Sequence, residues 1–354
     1  TAKGIGRKVF TTTLKKTSTA IALTLALIFA AVLAPPADAQ KRPTDEFREY
    51  IDANYTRDDY YVPMRDGAIL FTVVYHPNDG ESYPILLERT PYGAVGRERT
   101  QRSQGPNMTL VRERYILVRQ EIRGTYESSG QLTYLTPHIV DKQGERDVDE
   151  STDTYDTIDW LVKNIPNNNG RVGLWGIGYP GFCAAAGMID AHPALKAVSP
   201  QAPLVDAWRD EFFENGAFKL MNSINFVTTY GEPIPGKAAR YSMLYMGMPP
   251  DGYDFLLNMG PVYNVDNLYL RTRRPFWNDL TDHLDYDSFW QSRNLLPHLK
   301  KVAPAVMTVG GWFDAHVLSG PLECYRSVEA RNPNAFNILV MGPWEHEGWL
   351  GQYD

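Results

Sequence analysis

The chain has 354 residues, of which 43% are hydrophobic, 12% aromatic and 22% charged, with a formal net charge of −7. This balance suits a globular protein with a substantial core, and it excludes a disordered chain, a collagen-like repeat and, with two cysteines, a disulfide scaffold. At roughly 150 residues per domain, the length allows two compact units or one large α/β unit carrying an insertion.

The N-terminus has the three parts of a secretory signal peptide: a basic start with Lys3, Arg7, Lys8, Lys15 and Lys16, the apolar run IALTLALIFAAVLA at 21–34, and the small-residue site Ala37-Asp38-Ala39. Cleavage after Ala39 is expected, giving a secreted or periplasmic chain. A membrane anchor is the competing reading, but this run is shorter than the ~20 apolar residues a spanning helix needs. Removal of residues 1–39 leaves 30 basic and 41 acidic side chains, a net charge of −11. Such a surface repels phosphate backbones, so nucleic acid is not an expected partner. Cys183 and Cys324 read either as an exported disulfide or as two buried small hydrophobes.

Residues 41–59 are polar. YYVPMRDGAILFTVVYHP then predicts a hairpin turning at Asp66-Gly67. YPILLERTPYG at 83–93, RYILVRQEIRG at 114–124, GRVGLWGIG at 170–178, LKAVSPQAP at 195–203, APAVMTVGGWFD at 303–314 and FNILVMGPW at 336–344 each hold a short apolar run ending in Gly, Pro or polar residues. Runs of this kind suit parallel strands buried on both faces. Helical patterns at 153–165 and 181–192 lie between them, so the chain alternates strand and helix and predicts an α/β protein with helices on both faces of a mostly parallel sheet. Residues 205–295 break the alternation with a concentration of aromatics and Pro-Gly breaks such as Pro233 to Gly236. They read as a helical cap inserted between a first core part, 46–204, and a second, 296–354, at the strand ends where open sheets bind ligands.

WGIGYPG at 175–181 lies between an apolar strand and an apolar helix. One reading is a dinucleotide loop, because Gly176, Gly178 and Gly181 satisfy G-x-G-x-x-G and would place a pyrophosphate at the helix N-terminus. The next strand argues against it, ending in Ser199, Pro200 and Gln201 where an acidic residue should hold the ribose, with Asp206 a few residues too late. The other reading is a nucleophile elbow, the strained strand-to-helix turn that lifts a serine above a sheet edge.

From Asp156 to Pro203 the chain closely resembles the cocaine esterase, X-prolyl dipeptidyl peptidase and glutaryl-cephalosporin acylase family of α/β-hydrolases. MRDG at 64–67, RTPYG at 89–93, IRGTYESSG at 122–130, GGWFD at 310–314 and GPWEH at 342–346 match it in order. The resemblance implies an α/β-hydrolase fold and acyl transfer from an ester, amide or peptide carbonyl to water, without metal or organic cofactor. It places the triad aspartate at Asp314 and the general base at His346. It also implies an oxyanion hole made by the Tyr92 hydroxyl and the backbone N–H of Tyr179. At the nucleophile position the family has serine, and this chain has Gly178. Glycine brings no hydroxyl to attack a carbonyl. It does adopt the positive φ of an elbow readily, so the turn should fold well. A cloning change, a natural pseudoenzyme and a redesigned chain remain open as its origin.

The chain also departs from the family around the base, where Glu345 and Glu347 flank His346, and His316 lies two residues past Asp314. Nearby carboxylates should raise the histidine pKa. Asp314, His316, His346 and Glu347 could alternatively form a metal cluster, with solvated loop charges as the plainer reading. Family members continue past the histidine into a jelly-roll domain, whereas this chain reaches Asp354, so an exposed apolar interface is expected. The function expected is that of an acyl hydrolase on small esters, amides or short peptides, disabled or strongly weakened at its nucleophile. The alternatives are a non-catalytic periplasmic binding protein and, more remotely, a dinucleotide-dependent oxidoreductase. A homo-oligomer is left open.

Overall fold

The structure is a computed structural model, and it describes residues 43–94, 108–229, 251–271 and 274–350. The expected signal segment, 1–39, lies outside the described residues. The chain divides into two compact units, Thr1–Glu49 and Tyr50–Asp354. Helix α1, Pro43–Asn54, crosses that division. Among the described residues no helix is long and apolar enough to cross a membrane.

Among the described residues, the second unit is built on an eight-stranded sheet. Its strands are β1 (Tyr55–Pro63), β2 (Ile69–Pro77), β3 (Tyr83–Thr90), β4 (Ile116–Glu121), β5 (Asn168–Ile177), β6 (Leu195–Gln201), β9 (Ala305–Gly311) and β10 (Asn337–Gly342), in the spatial order β1-β2-β4-β3-β5-β6-β9-β10. The hairpin turns where the sequence predicts, with Pro63 opposite Ile69 and Gly67 at φ +88°. Strands from β4 to β10 run parallel, and β2 joins them antiparallel through β4. All six residues of β4 are buried, as are Ile85 and Leu87 of β3, which explains their unbroken apolar runs.

The short α2 (Met108–Arg112) precedes β4, and α3 (Glu150–Asn164) precedes β5. Asp149 caps α3, accepting from the Ser151 and Thr152 N–H groups, while the Thr152 hydroxyl accepts from the Asp149 N–H to complete a capping box. Helix α4, Tyr179–Ala186, is buried along its whole length. It begins two residues before the predicted start and stops at Gly187 rather than running to 192, since glycine favours termination and a turn follows. Cys183 in α4 and Cys324, in the helix that follows β9, are both free and buried, matching the small-hydrophobe reading.

Between β6 and β9 lie a π-helical turn at Trp208–Phe212 and the hairpin β7 (Phe213–Glu214)–β8 (Ala217–Phe218). They are followed by α5 (Leu220–Thr229), α6 (Gly252–Met259), α7 (Pro275–Asp282) and α8 (Ser288–Gln291). Many of the aromatics that mark this segment in the sequence are core. Phe212 packs edge-on to Phe226 and Phe276 and against Trp290, and Phe213, Trp277 and Trp290 are almost fully buried. Helix α9, Ser319–Arg331, then joins β9 to β10. Among the described residues, an apolar groove of ≈520 Å³ runs along the sheet, lined in part by Leu86, Trp175, Met307, Phe336 and Trp349. Met307 and Phe336 are 42% and 67% exposed.

Candidate active site

Three strand ends converge on one point. β5 ends at Ile177, and Gly178 turns the chain into α4 with φ 66° and ψ −119°, a conformation that side-chain-bearing residues adopt only under strain. The turn is held by the Gly178 N–H donating to the Gln201 carbonyl at 3.0 Å and by the Phe182 N–H donating to the Gly178 carbonyl at 3.0 Å. Packing accounts for the flanking glycines: a Cβ on Gly181 would lie 2.5 Å from the Gln201 carbonyl oxygen, and one on Gly176 would clash with Pro180. The glycine spacing that resembles a dinucleotide loop thus has a structural cause in the elbow itself.

Asp314 follows β9 and His346 follows β10. The Asp314 carboxyl is buried, its Oδ1 accepting from the His316 and Val317 N–H groups at 2.9 Å each and its Oδ2 lying 2.8 Å from His346 Nδ1. Their two loops are laced together, the Phe313 N–H donating to the Trp344 carbonyl at 3.0 Å and the Trp312 N–H to the Gly342 carbonyl at 2.9 Å. The far nitrogen of His346 faces the elbow: a Cβ at Gly178 would lie 3.5 Å from Nε2 and 3.7 Å from Cε1. A hydroxyl carried on that carbon would reach hydrogen-bond distance of Nε2. Positions 178, 346 and 314 therefore lie side by side, with the imidazole of His346 between the elbow and the Asp314 carboxyl.

The electrostatics match this geometry. Burial of Asp314 favours its neutral form, but the hydrogen bond and charge of His346 and the two backbone donors outweigh this and hold its pKa below 3.8. Burial likewise opposes a charged His346. The Asp314 hydrogen bond, then the charges of Asp314, Glu347 and Glu211, raise its pKa above 6.5 nevertheless. Glu345 and Glu347 are themselves exposed. Among the described residues, no group of three or more His, Cys, Asp or Glu is disposed to hold a metal ion. The cluster of Asp314, His316, His346 and Glu347 is thus not assembled as ligands, because the Asp314 carboxyl is already shared between His346 and two backbone donors.

Tyr92 and Tyr179 line the same cavity of ≈180 Å³ as Gly178 and His346. The Tyr92 loop is set by its N–H donating to Thr90 Oγ1 at 3.0 Å and by the Ala94 N–H donating to the buried Glu121 carboxyl at 3.0 Å. The Tyr179 hydroxyl is committed elsewhere, accepting from the Leu135 N–H at 2.7 Å. Its backbone N–H opens α4 and has no carbonyl four residues upstream in the helix to pair with.

The segment after β6 adds residues that the sequence did not single out. Glu211, 7% exposed, lines the cavity beside Asn222, Asn225 and Phe226. Asn222 Nδ2 donates to its carboxylate at 2.9 Å and to its carbonyl at 2.8 Å. Burial raises the Glu211 pKa above 4.5, while Asn222 and the nearby charges of Lys219 and His346 pull it down. Lys219 ties this segment to the Asp314 loop, donating to the carbonyls of Asp210, Ala315 and His316 at 2.9, 3.0 and 3.1 Å. Phe226 is shared with a larger cavity of ≈500 Å³, lined also by Tyr134, Arg274, Phe276, Asp279 and Arg293.

The strand order, the elbow after β5 and the acid and histidine after the last two strands define an α/β-hydrolase. Residues 66–348 match the X-Pro dipeptidyl-peptidase (S15) family, and the chain belongs to it. The chain is 26% identical over 314 residues to the cocaine esterase of Rhodococcus sp. (strain MB1 Bresler), covering 85% of this chain and 51% of that protein. Among solved structures it is similar to an aminopeptidase from a marine sediment archaeon, Thaumarchaeota archaeon, with TM-score 0.73 and 34% identity, covering 88% of this chain and 51% of that one. It is also similar to an α-amino acid ester hydrolase, with TM-score 0.71 and 32% identity, covering 89% of this chain and 50% of that one. The chain spans about half the length of these relatives.

Proposed function

We propose that this chain carries the acyl-hydrolase site of its family, with Asp314 orienting His346, His346 as general base, and the Tyr92 hydroxyl and Tyr179 N–H as oxyanion donors. In this reading the site is strongly weakened because Gly178 supplies no nucleophile. The supporting observation is the 3.5 Å from a Cβ at position 178 to His346 Nε2, on a histidine whose other nitrogen is held by a buried carboxylate. Residues 205–295 act as a cap, contributing Glu211, Asn222 and Phe226 to the cavity wall. Small esters, amides or short peptides are the substrates. Glu211 favours those with a free amino group, since an incoming ammonium provides the counter-charge this buried carboxylate lacks at full strength. The neighbours described as an aminopeptidase and an α-amino acid ester hydrolase support that choice.

The test uses Gly178→Ser with and without Glu211→Gln, assayed on an amino acid p-nitrophenyl ester and on its N-acetyl counterpart. Glu211→Gln is expected to raise KM for the free-amine ester by about tenfold or more, the worth of one charge-assisted contact, and to leave the N-acetyl ester near its starting value. Equal effects on both esters would remove Glu211 from amine recognition.

A further inference from the structure

At ≈180 Å³ the catalytic cavity falls below the roughly 300–1,000 Å³ usual for small-molecule sites, so a ligand larger than a simple acyl group extends into adjoining space. Phe226 belongs to the wall of both this cavity and the larger one of ≈500 Å³. Among the described residues, the apolar groove along the sheet shares no lining residue with the catalytic cavity. The wall of the larger cavity combines aromatic rings with charge. The Tyr134 ring centroid lies 4.7 Å from that of Phe276 and 6.0 Å, edge-on, from that of Phe226. Arg293 is 9% exposed, with its Cζ 3.6 Å from the Phe289 ring centroid. Of the five N–H donors of a guanidinium, the one on Nε goes to the Tyr134 carbonyl at 3.4 Å and one on Nη1 to the Phe289 carbonyl at 3.0 Å. Nη2 has no protein partner among the described residues and is not sealed from solvent, and the cavity that Arg293 lines is the space it opens on. Among the described residues no carboxylate forms an ion pair with Arg293. Burial pulls its pKa below the ordinary arginine value, and the charge of Asp279, on the same wall, offsets this only in part. Arg274 is on that wall too, so guanidinium groups outnumber carboxylates there.

We propose that the larger cavity is a subsite for the C-terminal residue of a short peptide, with Arg293 receiving its free carboxylate and Tyr134, Phe226 and Phe276 receiving an aromatic side chain. This rests on the functional reading above, which puts the peptide's ammonium at Glu211 and its scissile carbonyl at the elbow, and it adds the far end of the ligand beyond Phe226. A buried cation held only by carbonyls gains from a carboxylate brought to it, because charge-assisted hydrogen bonds replace part of the hydration it has lost. The donors left on Nη1 and Nη2 lie along one edge of the planar guanidinium, the arrangement that a carboxylate meets with both oxygens. The opposite charges at Glu211 and Arg293 then select a peptide that is unblocked at both ends. A peptide with an amidated C-terminus offers Arg293 a neutral carbonyl of the kind it already has.

Because Gly178 supplies no nucleophile, the full chain can be titrated with intact peptides by calorimetry. The ligands are Ala-Phe, its amide Ala-Phe-NH2, and Ala-Glu-NH2, which carries its carboxylate on the side chain instead. The unsubstituted chain is expected to bind Ala-Phe about tenfold or more tightly than either amide, the worth of one charge-assisted contact. Arg293→Gln should weaken Ala-Phe by about the same factor and leave Ala-Phe-NH2 near its starting value. Equal binding of Ala-Phe and Ala-Phe-NH2 by the unsubstituted chain overturns the proposal without reference to any variant, and so does an absence of binding by all three peptides. A preference for Ala-Phe that survives in Arg293→Gln, or an Arg293-dependent gain for Ala-Glu-NH2 alone, overturns it as well. Gly178→Ser assayed on p-nitrophenyl acetate, which carries neither charge, reports on the functional reading separately. Hydrolysis there with no preference for the free carboxylate overturns the subsite alone. A folded Gly178→Ser chain that is inert removes the functional reading and the subsite with it.

Discussion

Replacing Asp314 with Asn tests the orientation of the base in atomic terms. Oδ1 of Asp314 accepts from two backbone N–H groups, those of His316 and Val317, and Oδ2 faces His346 Nδ1 at 2.8 Å. An asparagine must turn its carbonyl oxygen to the two backbone donors, because an NH2 there would leave both N–H groups without an acceptor in a buried site. Its NH2 then faces Nδ1, which can only accept, so the imidazole proton is forced onto Nε2. In that tautomer the nitrogen facing the elbow has no lone pair with which to take a proton. The expected loss in kcat for Gly178→Ser/Asp314→Asn relative to Gly178→Ser is roughly 10⁴-fold, about 5 kcal/mol, as for the same exchange in a serine protease triad. Two assays read it: burst and steady-state hydrolysis of p-nitrophenyl acetate, and the ¹⁵N shifts of His346, which distinguish the tautomers even with Gly178 in place. The pH dependence has a fixed sign. With Asp314 present the His346 pKa stands above 6.5, so activity is lost as pH falls through that raised value. With Asn the two largest upward influences vanish while burial remains, so the titration moves to lower pH. A double variant within tenfold of Gly178→Ser, or a histidine titration that does not move, would refute this account of the dyad.

Two stability predictions follow from buried groups near the site. The Arg89 guanidinium is fully buried and donates to Gln120 Oε1 at 2.8 Å, Thr154 Oγ1 at 3.1 Å and the Glu150 carboxylate. Arg89→Met should lower unfolding free energy by about 3–5 kcal/mol in urea titrations by stranding Glu150, and an unchanged midpoint would show that Glu150 finds another partner. Asp149 caps α3 and also accepts from the Ile139 N–H at 3.0 Å and pairs with Lys142 at 2.9 Å. Asp149→Ala should cost about 3 kcal/mol at neutral pH, combining a lost cap with an orphaned buried donor. Burial favours its neutral form, but the His138, Lys142 and backbone donors prevail and hold its folded pKa below the ordinary 3.8. Its stabilisation is thus complete above 3.8 and fades as pH falls toward the folded value, so the gap between the two chains should narrow in acid.

The sheet was legible in the sequence because parallel strands buried on both faces leave unbroken apolar runs, and all those predicted, from YPILLER to FNILVMG, are strands. Position 178 was legible through its setting, a strand before it and an apolar helix after it. Asp314 and His346 followed from their motifs. The extent of α4 was not, since an apolar pattern past Gly187 continues to read as helix after the backbone has turned. Glu211 was hidden for a different reason. It lies on a π-helical turn whose neighbours Phe212 and Phe213 read as cap core, and only the return of that segment over the elbow brings its carboxylate to the cavity. Arg89 stood inside a recognised motif, yet its partners Gln120, Glu150 and Thr154 are 31 to 65 residues away, which periodicity cannot show.

Whether one missing hydroxyl separates this chain from a working serine hydrolase is decided by a single labelling experiment. The unsubstituted chain and Gly178→Ser are treated with a fluorophosphonate probe and, in parallel, assayed with p-nitrophenyl acetate at equal concentration. Covalent labelling and burst hydrolysis are expected in Gly178→Ser alone, with His346→Ala in that background abolishing both. Two folded chains that neither label nor burst would contradict the placement of position 178, Asp314 and His346 in one catalytic site.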